Sequence, residues 1–368
     1  MEKIKIILTG GGTAGSVTPL LAMVDELKKD ASYEMRDMSF LWLGTKTGPE
    51  KQIVEKEGIK FKPIINGKWR RYFSGWNLVD FFKIKLAFWQ SLFILIKEKP
   101  NLVMSAGSFV SVPVVWAAWV LRIPVLIHQL DARPGLANRL MAPFASIITT
   151  SFEKSLKDYG KKAIWTGSPI RSIFSSLKMT KREAIQKLGF SPEKEVIFVI
   201  GGGTGAVAIN NFIKEGLSDL LKFTQIIHIV GQNEKNIEEY KKLEQDNSGY
   251  RVFEFLDTTG MLKSFTASSV IVSRCGMGVL TELSHLAKPS ILIPIPDSHQ
   301  EDNAKIFQES ESAVVLNQKE LTSKKLFENI RELFQNKELR EKLSQNIEKQ
   351  IKEFSGEKIK KIIDNLIK

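Results

Sequence analysis

Short unbroken apolar runs alternate along the chain with longer stretches in which apolar residues recur every three or four positions. The runs are Ile4–Leu8, Phe40–Leu43, Leu102–Ser105, Val125–His128, Ile147–Thr150, Val196–Ile200, Gln225–Val230, Val270–Ser273 and Ser290–Ile293. Continuous apolar character over so few residues is the pattern of strands buried on both faces of a parallel sheet. The helical stretches include Leu20–Lys29, Glu50–Glu57, Leu78–Lys97, Asn210–Leu221 and Gly278–Leu286. This alternation predicts an α/β protein of doubly wound, Rossmann-like domains.

One pattern occurs twice. The run ending at Leu8 leads into Gly10-Gly11-Gly12-Thr13-Ala14-Gly15, and the run ending at Ile200 leads into Gly201-Gly202-Gly203-Thr204-Gly205-Ala206. A strand-to-helix turn without side chains lets backbone N–H groups approach an anionic or sugar-phosphate ligand. Two such turns predict two domains facing one cleft. The boundary is placed in Thr166–Arg171, between the fifth run and a lysine-rich helix. That gives an N-terminal domain over 1–165, a C-terminal domain over 166–345, and a last helix over 346–368 that packs back on the first domain. The tail from Ser323 is charged and amphipathic, with a break near Phe354–Gly356.

The chain has 368 residues, a length that fits two domains better than one. Its formal net charge of +12 favours an anionic partner: nucleic acid, an acidic membrane surface or a phosphorylated substrate. Cys275 is the sole cysteine, so an internal disulfide is excluded and a reducing compartment is the simple reading. The first residues lead straight into a strand without the features of a signal peptide. Leu86–Ile96 is too short to cross a bilayer. Ser108–Ile127 is interrupted by Pro113, Arg122 and Pro124. No transmembrane helix is expected.

The glycine spacing matches GxGxxG at Gly10, Gly12 and Gly15, and GxGxxA at Gly201, Gly203 and Ala206. A nicotinamide-binding domain places an acidic residue at the end of its second strand. Here that strand ends in Trp42–Lys46 with no carboxylate. A third candidate is Ser273–Glu282, which follows an apolar run and opens a helix. The N–H groups around Met277–Leu280 would face an anion, with the helix dipole behind them. Glu282 lies one turn in, where it either accepts two ribose hydroxyls or merely complements the dipole. Gln300 and Asn303, past the prolines 294 and 296, either meet sugar hydroxyls or form an ordinary helix start. His128 reads as a strand-end hydrogen-bonder, His228 as core and His285 as a surface neighbour; none has metal-ligand spacing. Lys68, Arg70, Arg71, Lys83 and Lys85 are interleaved with Trp69, Tyr72, Phe73, Trp76, Phe81, Phe82, Phe88 and Trp89. Basic and aromatic residues together suit an anionic interface. Nothing matches a DNA- or RNA-binding module, so no nucleic-acid partner is expected.

Taken in order, Gly10–Pro19, Gly67–Phe73, Ser105–Pro113, His128–Arg139, Thr166–Arg171, Gly201–Ala206, Ser273–Glu282 and His299–Ala304 resemble the motifs of the MurG family of bacterial cell-wall glycosyltransferases. The resemblance implies the GT-B architecture and no cofactor. It implies inverting transfer of N-acetylglucosamine from UDP-N-acetylglucosamine to an undecaprenyl-diphosphate-linked muramyl-pentapeptide, in peptidoglycan synthesis and thereby cell shape and division. It places the protein peripherally at the cytoplasmic face of the cell membrane. Carried over by motif, Glu282 binds the ribose, Met277, Gly278, Val279, Leu280 and Thr281 the diphosphate, and Leu256 the uracil through its backbone. Arg171 and Gly203 face the diphosphate, and Gln300 the sugar. Thr13, Ala14, Gly15 and Asp131 line the acceptor side.

The chain departs from the family pattern at Ser16, where the first loop ends in histidine. It also has Ala14 for a glycine, Gln129 for a glutamate, Gly203 for a serine and Val279 for a threonine. A serine hydroxyl is no base near neutral pH. Asp131 is therefore the candidate catalytic base, with Ser16 positioning the acceptor. Helix N-termini and Arg171 would stabilise the departing UDP, with no metal. Two other readings use the same residues: a catalytically silent UDP-sugar binder and a nicotinamide-dependent oxidoreductase.

Overall fold

The expected strands form, and most of their positions are buried, with Phe40 and Leu41 of the second strand half-buried. The structure, a computed structural model, describes residues 4–29, 37–67, 76–176, 179–202, 205–232, 234 and 236–367. The chain divides into two compact units. The first comprises Met1–Ser172 with Lys352–Lys368, and the second Ile173–Ile351.

In the first unit the strands are β1 (Ile4–Thr9), β2 (Met38–Thr45), β3 (Lys60–Ile64), β4 (Leu102–Ser105), β5 (Val125–Gln129), β6 (Ile147–Thr150) and β7 (Ala163–Trp165). They lie in the order β3-β2-β1-β4-β5-β6-β7, all parallel. The second unit has β8 (Val196–Ile200), β9 (Gln225–Ile229), β10 (Tyr250–Phe253), β11 (Val270–Ser273), β12 (Ser290–Leu292) and β13 (Val314–Val315). Their order is β10-β9-β8-β11-β12-β13, again all parallel. The two sheets thus repeat one winding. The chain runs outward from the first strand of each unit and then returns to that strand's other side. This creates a switch point between β1 and β4 and another between β8 and β11. Ligand crevices of open α/β sheets lie at the carboxyl ends of strands beside such a point.

Every strand expected from the apolar runs is interior, whereas β3, β7, β10 and β13 stand at the sheet edges. An edge strand needs no continuous apolar run. β3 reads Lys-Phe-Lys-Pro-Ile, and its proline is tolerated because an edge leaves N–H positions free of ladder bonds. Interior β5 is buried at all positions of Val-Leu-Ile-His-Gln. Fully burying each of its aliphatic side chains contributes about 1.5–3 kcal/mol.

Three helices frame the first switch point. Helix α1 (Thr18–Lys28) follows β1 with Pro19 in its first turn, α2 (Glu50–Lys56) follows β2, and α4 (Ser111–Val120) follows β4. Helix α3 (Trp76–Glu98) buries Asp80, Ala87, Ser91, Ile94 and Leu95 along one side. In the second unit α5 (Val207–Glu215) follows β8, α6 (Met277–His285) follows β11 and α7 (His299–Glu309) follows β12. No helix among the described residues is long and apolar enough to cross a membrane.

The unit boundaries differ from 165/166 and 345/346. Arg171 pairs with Asp25 and Glu57 of the first unit, which keeps Thr166–Ser172 there. The returning chain is tied to the same segment: Ser355 N–H donates to Thr166 O at 3.1 Å and Ser168 N–H to Lys352 O at 3.4 Å. Helix α8 (Gly356–Ile367) then packs on α1, where Gly356 lies against Glu26. Asn336 adds a break in the tail by capping a helix through Leu339 N–H at 3.0 Å.

Candidate functional site

At the second switch point, α6 begins without a side-chain cap at Gly276. Leu280 N–H closes the first helical bond on Gly276 O at 3.1 Å. The N–H groups of Met277, Gly278 and Val279 therefore have no hydrogen-bond partner among the described residues. Such an end carries about half a positive charge and favours an anion. The Thr281 hydroxyl donates back to Met277 O at 2.8 Å, one turn earlier in the same helix.

Glu282 is half-buried, and its carboxylate makes no hydrogen bond or ion pair with any described residue. Loss of water pushes its pKa up to about 8. A carboxylate left so is a strong acceptor, and a vicinal diol offers it two donors at once. Gln300 is oriented by its neighbours. Its Oε1 accepts from Cys275 N–H and from Ile295 N–H, each at 3.2 Å. Its Nε2 is thereby turned toward Gly276 at the start of α6. Asn303 instead donates to Cys275 O at 3.1 Å and laces the loop. Leu256 lies past β10, and its side chain packs against Gly260. Neither its N–H nor its C=O is bonded among the described residues. Gly203 lies outside the described residues. Its neighbour Gly205 adopts φ +83°, with Val230 O where a Cβ would stand.

Sequence reasoning passed over Arg274, two residues before the helix cap. It is 8% exposed, and its Nη1 donates to Ile293 O at 3.0 Å and Pro294 O at 3.2 Å. Its Nε has no partner, and burial lowers its pKa. Position within the Ser273–Glu282 motif was the available signal for it.

The first switch point is built differently. Gly12 N–H donates to Glu50 Oε2 at 3.1 Å, while Thr45 N–H and hydroxyl both donate to Glu50 Oε1. Trp42 Nε1 donates to Gly10 O at 2.9 Å, and Ser108 hydroxyl to Gly11 O at 2.8 Å. The sequence showed no carboxylate at the end of β2, yet folding brings one there from α2. It is fully buried and engaged by backbone, so it is not offered to a ribose.

Beyond the turn, Gly12, Thr13 and Gly15 are exposed and Ala14 is half-buried. Ser16 is 8% exposed, and its hydroxyl has no partner. Asp131 follows β5, two strands from β1 and so about 10 Å across the sheet by strand spacing. Gln129 shapes that loop, its Nε2 donating to Asp131 O at 2.8 Å and Arg133 O at 3.2 Å. Its Oε1 accepts from Asn138 Nδ2 and Tyr159 hydroxyl, each at 2.6 Å. A carboxylate could not make the first pair, which explains the amide in this chain. His128 is buried between Thr149 and Ser151, and burial pushes its pKa down to about 3. His228 is buried likewise, bonded to Tyr250 and Asn210. Exposed His285 meets Ser175 at 3.2 Å.

Arg171, expected to face the diphosphate, is paired within the first unit. Its Nε donates to Asp25 Oδ2 at 2.8 Å, and its Nη2 lies 2.9 Å from Glu57 Oε1. Burial disfavours the cation, but Glu57 and Asp25 outweigh it and hold the pKa above the usual guanidinium value. Two carboxylates, Asp25 and Glu57, engage this group through Nε and Nη2.

Both halves of the chain match known proteins. The glycosyltransferase family 28 N-terminal domain model matches residues 6–150, and the family's C-terminal domain model matches residues 196–365. The UDP-N-acetylglucosamine--N-acetylmuramyl-(pentapeptide) pyrophosphoryl-undecaprenol N-acetylglucosamine transferase of Clostridium kluyveri is 42% identical over 335 residues, covering 89% of this chain and 91% of that protein. The transferase of the same name from Clostridium tetani is 38% identical over 371 residues, covering 99% and 97%. The crystal structure of Acinetobacter baumannii MurG shares the fold with a TM-score of 0.73 at 22% identity, covering 98% of this chain and 99% of that one. With both family domains matched and this level of identity along most of its length, the chain belongs to glycosyltransferase family 28.

Proposed function

We propose that this protein transfers N-acetylglucosamine from UDP-N-acetylglucosamine to an N-acetylmuramyl-pentapeptide carried on undecaprenyl diphosphate. One observation carries the donor half: an uncapped helix N-terminus with a dehydrated, unpartnered carboxylate one turn inside it, at Met277–Glu282. The N–H groups of Met277–Val279 receive the diphosphate, and Glu282 accepts the ribose hydroxyls. Leu256 reads the uracil through its backbone, and Gln300 Nε2 donates to the sugar. The relatives' names supply the acceptor, and Thr13, Ala14, Gly15, Ser16 and Asp131 are its candidate partners on the first unit.

The chemistry inverts the anomeric centre. The acceptor hydroxyl oxygen bonds to the anomeric carbon as the bond from that carbon to the diphosphate oxygen breaks. The electron pair leaves with UDP, and the hydroxyl proton passes to the Asp131 carboxylate. The α6 N-terminus stabilises the charge that grows on UDP, and such preorganised donors are each worth about 10²–10³ in rate. Ser16 takes no proton and orients the acceptor.

A lipid-linked acceptor needs a membrane surface, and α3 offers one. Phe82, Leu86, Trp89, Phe93 and Ile96 recur at four- and three-residue steps and are 53–69% exposed. Trp119 and Val120 at the end of α4 are exposed as well, and Arg122 follows them. Lys85 and Lys97 are exposed on α3 itself. An apolar stripe with basic residues fits an anionic lipid interface, where each cation contributes about 1 kcal/mol. The segment Lys68–Phe73, expected to share this role, lies outside the described residues. We place the protein peripherally on the cytoplasmic face of the membrane.

Calorimetric titration with UDP-N-acetylglucosamine, followed by product formation on a lipid-linked muramyl acceptor, tests this reading. Binding without product would leave a silent sugar-nucleotide binder. No binding would sink the whole assignment. Co-sedimentation with anionic vesicles tests the stripe, and Trp89→Ser with Phe93→Ser should release the protein.

A further inference from the structure

The buried carboxylate of Glu50 has no part in the chemistry above, yet it sits under the first glycine turn. It is the first residue of α2, fully buried, and it accepts Gly12 N–H together with both Thr45 donors. The space around it is cut to a carboxylate. A Cβ at Gly11 or at Gly48 would overlap it, and Gly44 also lies against its side chain. Gly48 N–H donates to Thr45 Oγ1 at 3.0 Å, which completes the nest.

The rest of the turn is held from other sides. Gly10 O is bound by Trp42 and Gly11 O by Ser108. Gly10, Gly11 and Gly12 are thus fixed in succession by three different elements. The residues that follow without a break are Thr13, Ala14, Gly15 and Ser16. Their first turn, Ala14–Ser16, has no side-chain cap of its own. The shape that this segment presents therefore depends on how Gly12 is anchored.

We propose that Glu50 is a positioning residue for the acceptor. Its carboxylate fills the turn from beneath, as a ligand anion fills other turns of this kind, and so fixes Thr13–Ser16 in place. The role rests on the acceptor reading for those residues. It also has a local consequence that does not rest on it: the turn is stiff only while Gly12 N–H has its acceptor. An amide in place of the carboxylate would turn a donor toward Gly12 N–H or break the Thr45 pair.

The test uses the full-length protein and the Glu50→Gln, Thr45→Val and Gly11→Ala variants. Hydrogen–deuterium exchange at residues 10–16, UDP-N-acetylglucosamine affinity by calorimetry and acceptor kinetics are measured on each. Glu50→Gln should speed exchange in that segment about tenfold or more, with β4 and β5 unchanged. It should lower kcat/KM for the acceptor about 10–100-fold, as expected for a misplaced group, with donor affinity within about twofold. Thr45→Val removes one donor and should act in the same direction with less force. Combined with Glu50→Gln it should add little, because both act on one nest. Gly11→Ala pushes the carboxylate away from the other side and serves if Glu50→Gln does not fold. Unchanged exchange at residues 10–16 would overturn the proposal. So would equal losses on the donor and acceptor sides. A wild-type protein that never transfers sugar would sink the acceptor reading alone, with the exchange measurement still deciding the anchor.

Discussion

The first switch point holds its turn from inside, whereas the second leaves its donors open. At the first, Gly12 N–H ends on Glu50, and the adjacent carbonyls end on Trp42 and Ser108. At the second, the N–H groups of Met277–Val279 end on no described residue, and Glu282 one turn on has no partner either. Both regions follow the first or the returning strand of the same winding. The difference shows that a glycine turn or a helix start is only a geometry. A buried carboxylate already in place satisfies the N–H and makes the turn a fixed rim. An unfilled start with a cation two residues upstream keeps a place for an anion.

The largest effect that separates the two regions is expected at Asp131. Asp131→Asn should cut turnover by about 10²–10⁴ while leaving UDP-N-acetylglucosamine affinity unchanged. Turnover at the wild-type level would remove Asp131 as the base. Next comes Glu282→Ala, which should weaken donor binding about 100-fold, the worth of two hydrogen bonds to a charged group. Calorimetry reads it directly, and an unaltered affinity would mean that Glu282 only complements the helix dipole.

A smaller effect, about tenfold on acceptor kcat/KM, is expected for Gln129→Glu, because a carboxylate would face the Asp131 and Arg133 carbonyls in place of a donor. Kinetics as good as wild type would show that the loop does not need the amide. The smallest test is pH. In the proposed donor site the ribose hydroxyls would donate to ionised Glu282, whose pKa burial pushes up to about 8. Donor affinity should therefore rise up to about tenfold from pH 7 to pH 9, since only the ionised fraction binds. Glu282→Gln should flatten that rise, and a slope that survives in the variant would assign it elsewhere. The same raised pKa has the opposite sign for stability without ligand. The folded protein holds the proton more tightly than the unfolded chain, so this contribution is present below about pH 4.5 and is lost as pH rises through about 8.

Interior strands and the Ser273–Glu282 motif were legible because their signals are local. A strand buried on both faces must be apolar throughout, and the uncapped helix start has its glycines and its acid within one turn. The edge strands β3, β7, β10 and β13 carry no such demand, and they were missed. Glu50 was invisible for another reason: it meets Gly12 across 38 positions, and nothing in either neighbourhood announces the partner. Arg171 shows the converse. Its motif does not announce Asp25, 146 residues away along the chain, which engages it with Glu57.

Period and glycine spacing along the chain were sufficient for two doubly wound units and for the uncapped helix start after β11, because backbone geometry and strand burial follow from short-range pattern. Which polar groups stay free was decided only when distant segments met. Glu50 closed one turn, Gln129 tied the Asp131 loop, and Arg171 found two carboxylates. Each pairs polar groups of which at least one is buried or partly buried, and burial leaves a group little water to bond. Its partner must come from whatever the fold brings beside it.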